Sequence, residues 1–422
     1  MPFQKLISHP QILKAVADAG HTQPTPIQNE AIGKILQGSD LCASSHTGSG
    51  KTAAFILPAL QQLASNSPLP GKGPRVLILV PTRELAEQVT AEVKKYGKYL
   101  PKTTAVCVYG GTPYPPQIQK LSKHYDILVA TPGRLLDHIE KGRIQFSRTE
   151  LFILDEADRM LDMGFIQPVE EIADLLPKKR QTLLFSATLK KNIVNLSKKL
   201  LHDPLMVIVK SNKETEELID ECFYRVNNIQ HKYGLLNHLL QNPEWKQIIV
   251  FTATKQQADL LARKLTEEGH QAAPLHGDMN QRQRTRTMMR MRNQEVRILV
   301  ATDVAARGID ILTISHIINF DLPKLADDYL HRIGRTGRAN NKGAALSFVA
   351  ARDMDILKKI ERASGRKMKQ EALPADLPAM KSCSFEKEPK AASQNFRKEN
   401  RFWKHKKSTP KYSFHKKRYK KH

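Results

Sequence analysis

The segment Ser45-His46-Thr47-Gly48-Ser49-Gly50-Lys51-Thr52 follows the apolar Leu41-Cys42-Ala43 and runs into Ala53-Ala54-Phe55-Ile56-Leu57. Glycines at this spacing let successive backbone N–H groups turn toward one oxyanion. A helix N-terminus behind them adds a positive partial charge. Thr47, Gly48, Ser49 and Gly50 would form the cradle. Lys51 can reach the β- and γ-phosphates of a nucleotide, and the Thr52 hydroxyl can ligate Mg²⁺. The strict pattern has Gly at its first position, where this chain has Ser45. A phosphate loop also needs a carboxylate at the end of a neighbouring strand. Leu151-Phe152-Ile153-Leu154 runs straight into Asp155-Glu156-Ala157-Asp158. Asp155 is placed to hold Mg²⁺, and Glu156 to orient and deprotonate an attacking water. Either segment alone also reads as a helix cap. Together they point to nucleoside triphosphate hydrolysis.

Such groups must be carried on the carboxyl ends of parallel strands. Short apolar runs of strand character include Val76-Leu77-Ile78-Leu79-Val80, Ile127-Leu128-Val129-Ala130 and Thr182-Leu183-Leu184-Phe185. Later come Ile248-Ile249-Val250-Phe251, Ile298-Leu299-Val300-Ala301 and Ile317-Ile318-Asn319-Phe320. Runs without polar alternation suit strands covered on both faces, and the amphipathic stretches between them suit helices. The fold class is therefore α/β. The polar stretch Lys210-Ser211-Asn212-Lys213-Glu214-Thr215-Glu216-Glu217 reads as a linker between two halves of one plan. The reading gives a first domain at 1–210, a linker at 211–219, a second domain at 220–365 and a tail at 366–422.

Asp-Glu-Ala-Asp at 155–158 spells the signature of the DEAD-box ATP-dependent RNA helicases, and the chain resembles that family from Phe3 to about Val349. The wording Arg159-Met160-Leu161-Asp162-Met163-Gly164-Phe165 looks most like its bacterial RhlE-like branch. The resemblance implies two tandem RecA-like parallel-sheet domains, with ATP and Mg²⁺ as cofactors. By resemblance Gln28, in Pro24-Thr25-Pro26-Ile27-Gln28, reads adenine and Phe3 stacks on it. Pro81, Thr82 and Arg83, then Gly111, Thr131 and Arg134, resemble the segments that hold RNA phosphates and sugars. Gly277, Arg284 and Thr302 would line the same path from the second half. Ser186 and Thr188 would bond to Asp158 and couple hydrolysis to strand separation, with His331 alongside. Arg335 and Arg338 would act as arginine fingers, and Asp310 would contact the ribose. One departure stands out: the common Ala-Gln before Thr-Gly-Ser-Gly-Lys-Thr is Ser45-His46 here.

Composition agrees with a polyanionic partner. The 422 residues hold 67 Lys+Arg against 42 Asp+Glu, a net charge of +25. No apolar run reaches the length of a membrane span. Cys42, Cys107, Cys222 and Cys383 lie far apart with no zinc spacing. No apolar signal stretch follows Met1, so the expected location is cytoplasmic. From Asn395 to His422 there are 12 Lys/Arg, one acid and six aromatics. That segment reads as a disordered basic tail that tethers RNA without choosing sequence. The sequence does not separate partners in ribosome assembly from those in RNA decay. The Gln28 segment with Asp-Glu-Ala-Asp argues against a DNA-translocating enzyme, intact Lys51, Asp155, Glu156 and Arg335 argue against a non-enzymatic RNA chaperone, and membrane binding lacks an amphipathic helix. Deleting residues 366–422 is expected to weaken RNA binding and flatten its salt dependence. The log–log slope should fall by about 0.7 per lost phosphate contact on single strands, with turnover at saturating RNA scarcely changed. Affinity and ATPase of full-length and truncated protein, from low to moderate salt, check this.

Overall fold

The non-alternating apolar runs form strands buried on both faces. The computed structural model describes residues 2–374 and 377, apart from 46–47, 66, 68–69, 101–102, 210–218, 307–310, 312, 338–341 and 375–376. The first half holds β1 (Leu41–Ser44), β2 (Val76–Leu79), β3 (Ala105–Val108), β4 (Ile127–Ala130), β5 (Leu151–Leu154), β6 (Gln181–Ser186) and β7 (Leu205–Ile208). They form one sheet in the order β3-β4-β2-β5-β6-β1-β7, paired in parallel. The pleat sends alternate side chains to opposite faces. Leu41, Ala43 and Ile78 enter one core with Phe55 and Phe185. Cys42, Leu77 and Leu79 enter the other with Phe152 and Leu135. Burying each of the Leu, Ile and Phe side chains among them contributes about 1.5–3 kcal/mol.

The second half repeats the plan with β8 (Ile219–Arg225), β9 (Gln247–Phe251), β10 (Ala272–Leu275), β11 (Ile298–Ala301), β12 (Ile314–Asn319), β13 (Gly343–Val349) and β14 (Lys369–Glu371). Their order is β10-β11-β9-β12-β13-β8-β14, again parallel. Ile249 and Phe251 face one core, Ile248 and Val250 the other. Helices covering both faces give two parallel sheets in tandem, as the α/β reading expects.

Two boundaries differ from that reading. Ile219, assigned to the linker, opens β8, and β14 lies inside the segment assigned to the tail. Lys369–Glu371 pairs with Cys222–Tyr224, and Leu377 packs on the core around Leu235 and Phe348. A truncation that spares the second sheet therefore starts after Leu377. Residues 378–422, where the tail was expected to be disordered, lie outside the described residues, as do 210–218. Among the described residues no helix is long and apolar enough to cross a membrane. Cys42, Cys107 and Cys222 are free thiols, and burial pushes both Cys107 and Cys222 up to about 11.

Two imidazoles, buried His138 and half-buried His316, link this packing to pH. His138 is fully covered, with a ring nitrogen 3.2 Å from Gln117 Oε1 and its ring edge-on to Tyr114. His316 stacks on Trp245 at 3.9 Å between ring centroids. Burial pulls each down to about 4, with nearby arginines adding to it. Unfolded, each takes up a proton near 6.5; folded, it resists until about 4. Stability is therefore full at neutral pH and falls as pH drops from about 6.5 toward 4. Urea midpoints at pH 7.5 and pH 5 should show this loss. His138→Gln should flatten part of it; an unchanged slope would remove His138 as a contributor.

Candidate functional site

Because all seven strands of the first sheet run the same way, their carboxyl ends share one edge. β1 delivers the phosphate-loop segment there, β2 delivers Pro81-Thr82-Arg83, and β3 delivers Gly110-Gly111. β4 delivers Thr131-Pro132-Gly133-Arg134, β5 delivers Asp155-Glu156, and β6 delivers Ser186-Ala187-Thr188. The glycine-rich loop ends where the helix Lys51–Ser65 begins. Gly48 and Gly50 have φ of 81° and 91°, a left-handed backbone that disfavours a side chain. A Cβ on Gly50 would stand 2.5 Å from Gln28 Nε2 and 3.0 Å from Thr25 Oγ1. Ser45 has no such need. It is buried, its N–H donates to the Ser186 carbonyl at 3.2 Å, and its hydroxyl pairs with that of Ser49 at 2.7 Å. This pairing explains why a serine fits where the strict pattern has glycine. Thr47 lies outside the described residues.

Gln28 does not stand open toward a base. It closes a capping box with Thr25 at the start of the helix Pro26–Leu36, accepting from Thr25 N–H at 3.0 Å. Its amide donates to the Gly50 carbonyl at 3.1 Å. An amide has two N–H groups and two lone pairs, so these bonds use half of each. Phe3 is packed into the first core and is only 5% exposed.

Lys51 is buried, and its ammonium donates to the Ser45 carbonyl. Burial pulls its pKa below the ordinary value, while the charges of Asp155, Glu156 and Asp158 oppose that pull. Asp155 is pushed up to about 7, first by burial and then by the neighbouring Glu156. Glu156 has φ 54° and ψ 47°, a left-handed backbone for a residue with a side chain. Such strain persists only where the surroundings impose it and gathers at functional sites. The Glu156 carboxylate lies 3.2 Å from the guanidinium of Arg159, which is only 1% exposed. Sequence reading gave Arg159 no role in the site, although it directly follows the four-residue signature.

Asp158 is held as expected by one hydroxyl of the β6 segment and not by the other. Its Oδ2 accepts from Ala187 N–H at 3.1 Å, Thr188 N–H at 3.0 Å and Thr188 Oγ1 at 3.2 Å. Ser186 instead donates its hydroxyl to the Thr188 carbonyl at 2.7 Å. His331 comes close from the second half: Asp158, Thr188, Lys190, Asp327 and His331 line one cavity of about 40 Å³. Lys190 and Asp327 are ion-paired across it.

The other expected positions divide between exposed and committed. Gly277 is exposed, while Thr302 is half-buried at the end of β11. Pro81 is buried; Thr82 caps the helix Arg83–Tyr96 by accepting from Leu85 N–H at 3.3 Å, and Thr131 is buried. Arg83 packs its guanidinium over Gly111, whose Cβ would meet it at 1.9 Å. Arg134 donates to the Thr112 carbonyl at 2.9 Å and lies over the Tyr114 ring. Arg284, expected to line the RNA path, is buried. It donates to Glu84 at 2.7 Å, to the His276 carbonyl at 3.1 Å and to the Ala305 carbonyl at 3.3 Å. Arg335 is buried beside Phe251, Asp303 and His331. Arg338 and Asp310 lie outside the described residues.

Residues 25–196 match the family described as DEAD/DEAH box helicase, and residues 231–340 match the helicase conserved C-terminal domain. The ATP-dependent RNA helicase SrmB of Escherichia coli K12 is 44% identical over 361 residues, which is 85% of this chain and 81% of that one. The chain belongs to the DEAD-box helicase family. Another relative is the ATP-dependent RNA helicase DeaD of Mycobacterium tuberculosis, 42% identical over 88% of this chain. This chain spans only 65% of that protein's length. Among solved structures, Saccharomyces cerevisiae Dbp5 bound to RNA and ADP BeF3 is 33% identical with a TM-score of 0.78, over 88% of this chain and 95% of that one. Mss116p bound to ssRNA and AMP-PNP is 29% identical with a TM-score of 0.81, over 89% and 80%.

In this DEAD-box chain the contact between Gln28 and Gly50 joins two motifs that are 22 residues apart. Gly50→Ala should break it by steric contact and by left-handed strain of about 1–3 kcal/mol. The expected result is a lower melting temperature and weaker binding of a fluorescent adenine nucleotide. Wild-type values for both would show that the loop relaxes around a methyl group.

Proposed function

We propose that this chain is an RNA-dependent ATPase that uses ATP binding and hydrolysis to open or remodel short RNA duplexes. What carries the reading is the meeting, on one sheet edge, of buried Lys51 with Asp155, Glu156 and Asp158, and the bonding of Asp158 to Thr188. Lys51 would hold the β- and γ-phosphates. Glu156 would take the proton of the attacking water, its carboxylate held in place by Arg159 and by a preset backbone. Arg335 and Arg338 would reach the γ-phosphate from the second half, which makes hydrolysis depend on how the halves meet. Asp158, Ser186, Thr188 and His331 would report the state of the phosphate site to the nucleic-acid face. Gln28, with Phe3, would read the adenine ring, and Asp310 would contact the ribose.

Thr52 and Asp155 offer a hydroxyl and a carboxylate oxygen, the hard donors that suit Mg²⁺. Asp155 is a buried acid crowded by Glu156, a place that a divalent cation would relieve. Among the described residues no cluster of three His, Cys, Asp or Glu could chelate a metal unaided. Mg²⁺ is commonly held by one or two carboxylates together with substrate phosphates, so the residues fit it. Bound there, it would neutralise charge on the phosphates.

RNA would lie along Pro81, Thr82, Arg83, Gly111, Thr131 and Arg134 in the first half and Gly277, Arg284 and Thr302 in the second. Contacts by backbone groups and arginines would hold phosphates and leave sequence unread. We further assign the domains to 1–210 and 220–365 with the boundary shifts noted above, the tail to RNA tethering, the chain to the RhlE-like branch and its location to the cytoplasm. Ribosome assembly and RNA decay both suit such an activity.

Single-stranded RNA should stimulate ATP hydrolysis more than DNA of the same sequence; equal stimulation would favour a DNA-directed enzyme. Glu156→Gln should lose roughly 10²–10⁴-fold in turnover while retaining ATP and RNA binding, and near-normal ATPase would remove Glu156 from the base role. Arg335→Ala should lose about 10³–10⁵-fold if it acts as a finger. Steady-state turnover with and without RNA measures both.

A further inference from the structure

The helix Gln281–Arg292 reads Gln-Arg-Gln-Arg-Thr-Arg-Thr-Met-Met-Arg-Met-Arg, with five arginines and no acid. Its inner face buries Gln281, Arg284, Thr287, Met288 and Met291. Its outer face exposes Arg282, Arg286 and Arg290, spaced four residues apart and so stacked along one side. Like charges at this spacing destabilise a helix. Arg282 also sits in the first turn, where the helix dipole disfavours a cation. The helix forms nonetheless, secured by its packed inner face and by the Asn280 cap, which accepts from Gln283 N–H at 2.9 Å.

The stripe faces a groove of about 800 Å³. The opposite wall is built by Tyr109, Gly111, Thr112 and Pro113, at the carboxyl end of β3. Two acids line this groove, and both already have partners: Glu87 accepts from the Tyr109 hydroxyl, and Glu295 lies 3.6 Å from Arg290. Among the described residues neither Arg282 nor Arg286 has an ion pair. Two exposed guanidiniums with forked donors thus face the Gly111 segment across a space large enough for a polymer backbone.

We propose that Arg282 and Arg286 form a phosphate-docking stripe for the RNA segment that continues past Gly111, beside Thr112 and Pro113, from the strand gripped by the core. This rests on the RNA-directed reading above and deepens it. Residues i and i+4 of a helix are about 6 Å apart along its axis. That rise is comparable to the separation of neighbouring phosphates on one strand, so consecutive phosphates can meet consecutive arginines. Arginine suits this role because its planar fork pairs with phosphate oxygens and its charge is permanent. The contact reads no base, so it lengthens the site without adding sequence preference.

The test measures RNA affinity against salt for full-length wild type, for R282Q/R286Q, and for the charge-matched control K358Q/R362Q on the helix Met354–Ser364. Two single-stranded RNAs serve as probes, one just long enough for the core and one several nucleotides longer. On the long RNA, R282Q/R286Q should lower the log–log salt slope by about 1.4, or 0.7 for each lost contact, and should bind more weakly at low salt. On the short RNA it should match wild type, and the control should match wild type on both. Melting temperature should not fall, since the substitutions relieve like-charge repulsion. If wild type binds the long RNA and R282Q/R286Q binds it with the same slope, the stripe is overturned while the RNA-directed reading stands. If the control loses as much as R282Q/R286Q, only general charge is at work and the stripe is likewise overturned. Failure of wild type to bind either RNA would overturn both readings. Displacement of an acidic polypeptide by the substitutions, with RNA unaffected, would assign the face to a protein and overturn the proposal.

Discussion

A buried ammonium is tolerable only where opposite charge and hydrogen-bond acceptors take the place of water. Lys51 is in that position, and three elements have to meet to satisfy it. The loop after β1 brings the Ser45 carbonyl, and the end of β5 brings Asp155 and Glu156. The helix that follows contributes Asp158. Burial, and after it the charge of Glu156, pushes Asp155 up to about 7, and Arg159 lies in the interior beside Glu156. The cluster is therefore balanced by several partners at once, and a phosphate or a cation arriving there must rearrange them. Such coupling is useful in a site whose occupancy is to be felt elsewhere.

The connection outward runs through Asp158. One carboxylate oxygen gathers three donors from Ala187 and Thr188, and the cavity beside it includes His331 and the ion pair of Lys190 with Asp327. A second connection runs through Arg284 and Glu84, with Arg83 and Gln281 3.4 Å apart beside it. Buried charge-assisted bonds of this kind are strong and directional. Both join residues that follow the strand ends of the first sheet to the second half.

Parallel pairing has a further consequence for where chemistry sits. Seven carboxyl ends lie on one edge of each sheet, and several, among them those of β2, β5 and β9, run within a few residues into a bend that can present backbone N–H groups. Glycine is needed at only some of these turns. Gly50 faces Gln28 and Gly111 faces Arg83, because in both cases a side chain from another motif occupies the space of a Cβ. Ser45 faces no such neighbour and keeps its side chain.

The central strands and the segments at their carboxyl ends were legible in the sequence because they are local. A strand covered on both faces must be apolar at every position, as Leu151–Leu154 and Ile298–Ala301 are. A phosphate loop or a strand-end carboxylate has its chemistry written within eight residues. The edges were not legible in this way. In β7, Leu205, Met206 and Ile208 are exposed; β8 mixes polar and apolar residues; β14 has three residues, Lys-Gln-Glu. Nothing inside those segments demands a strand, and their pairing partners are far away in the chain. The same limit governs the arginines. His331-Arg332-Ile333-Gly334-Arg335 contains two that look alike in sequence. Only the fold gives Arg332 to Asp303, with bonds of 2.5 and 2.8 Å, and to the Asn319 oxygen, making it part of the scaffold. Only the fold turns Arg284 inward to a glutamate 200 residues away and leaves Arg282 and Arg286 outside. Residue type sets what a guanidinium can do, but which anion it meets depends on chain segments that only tertiary packing brings within reach.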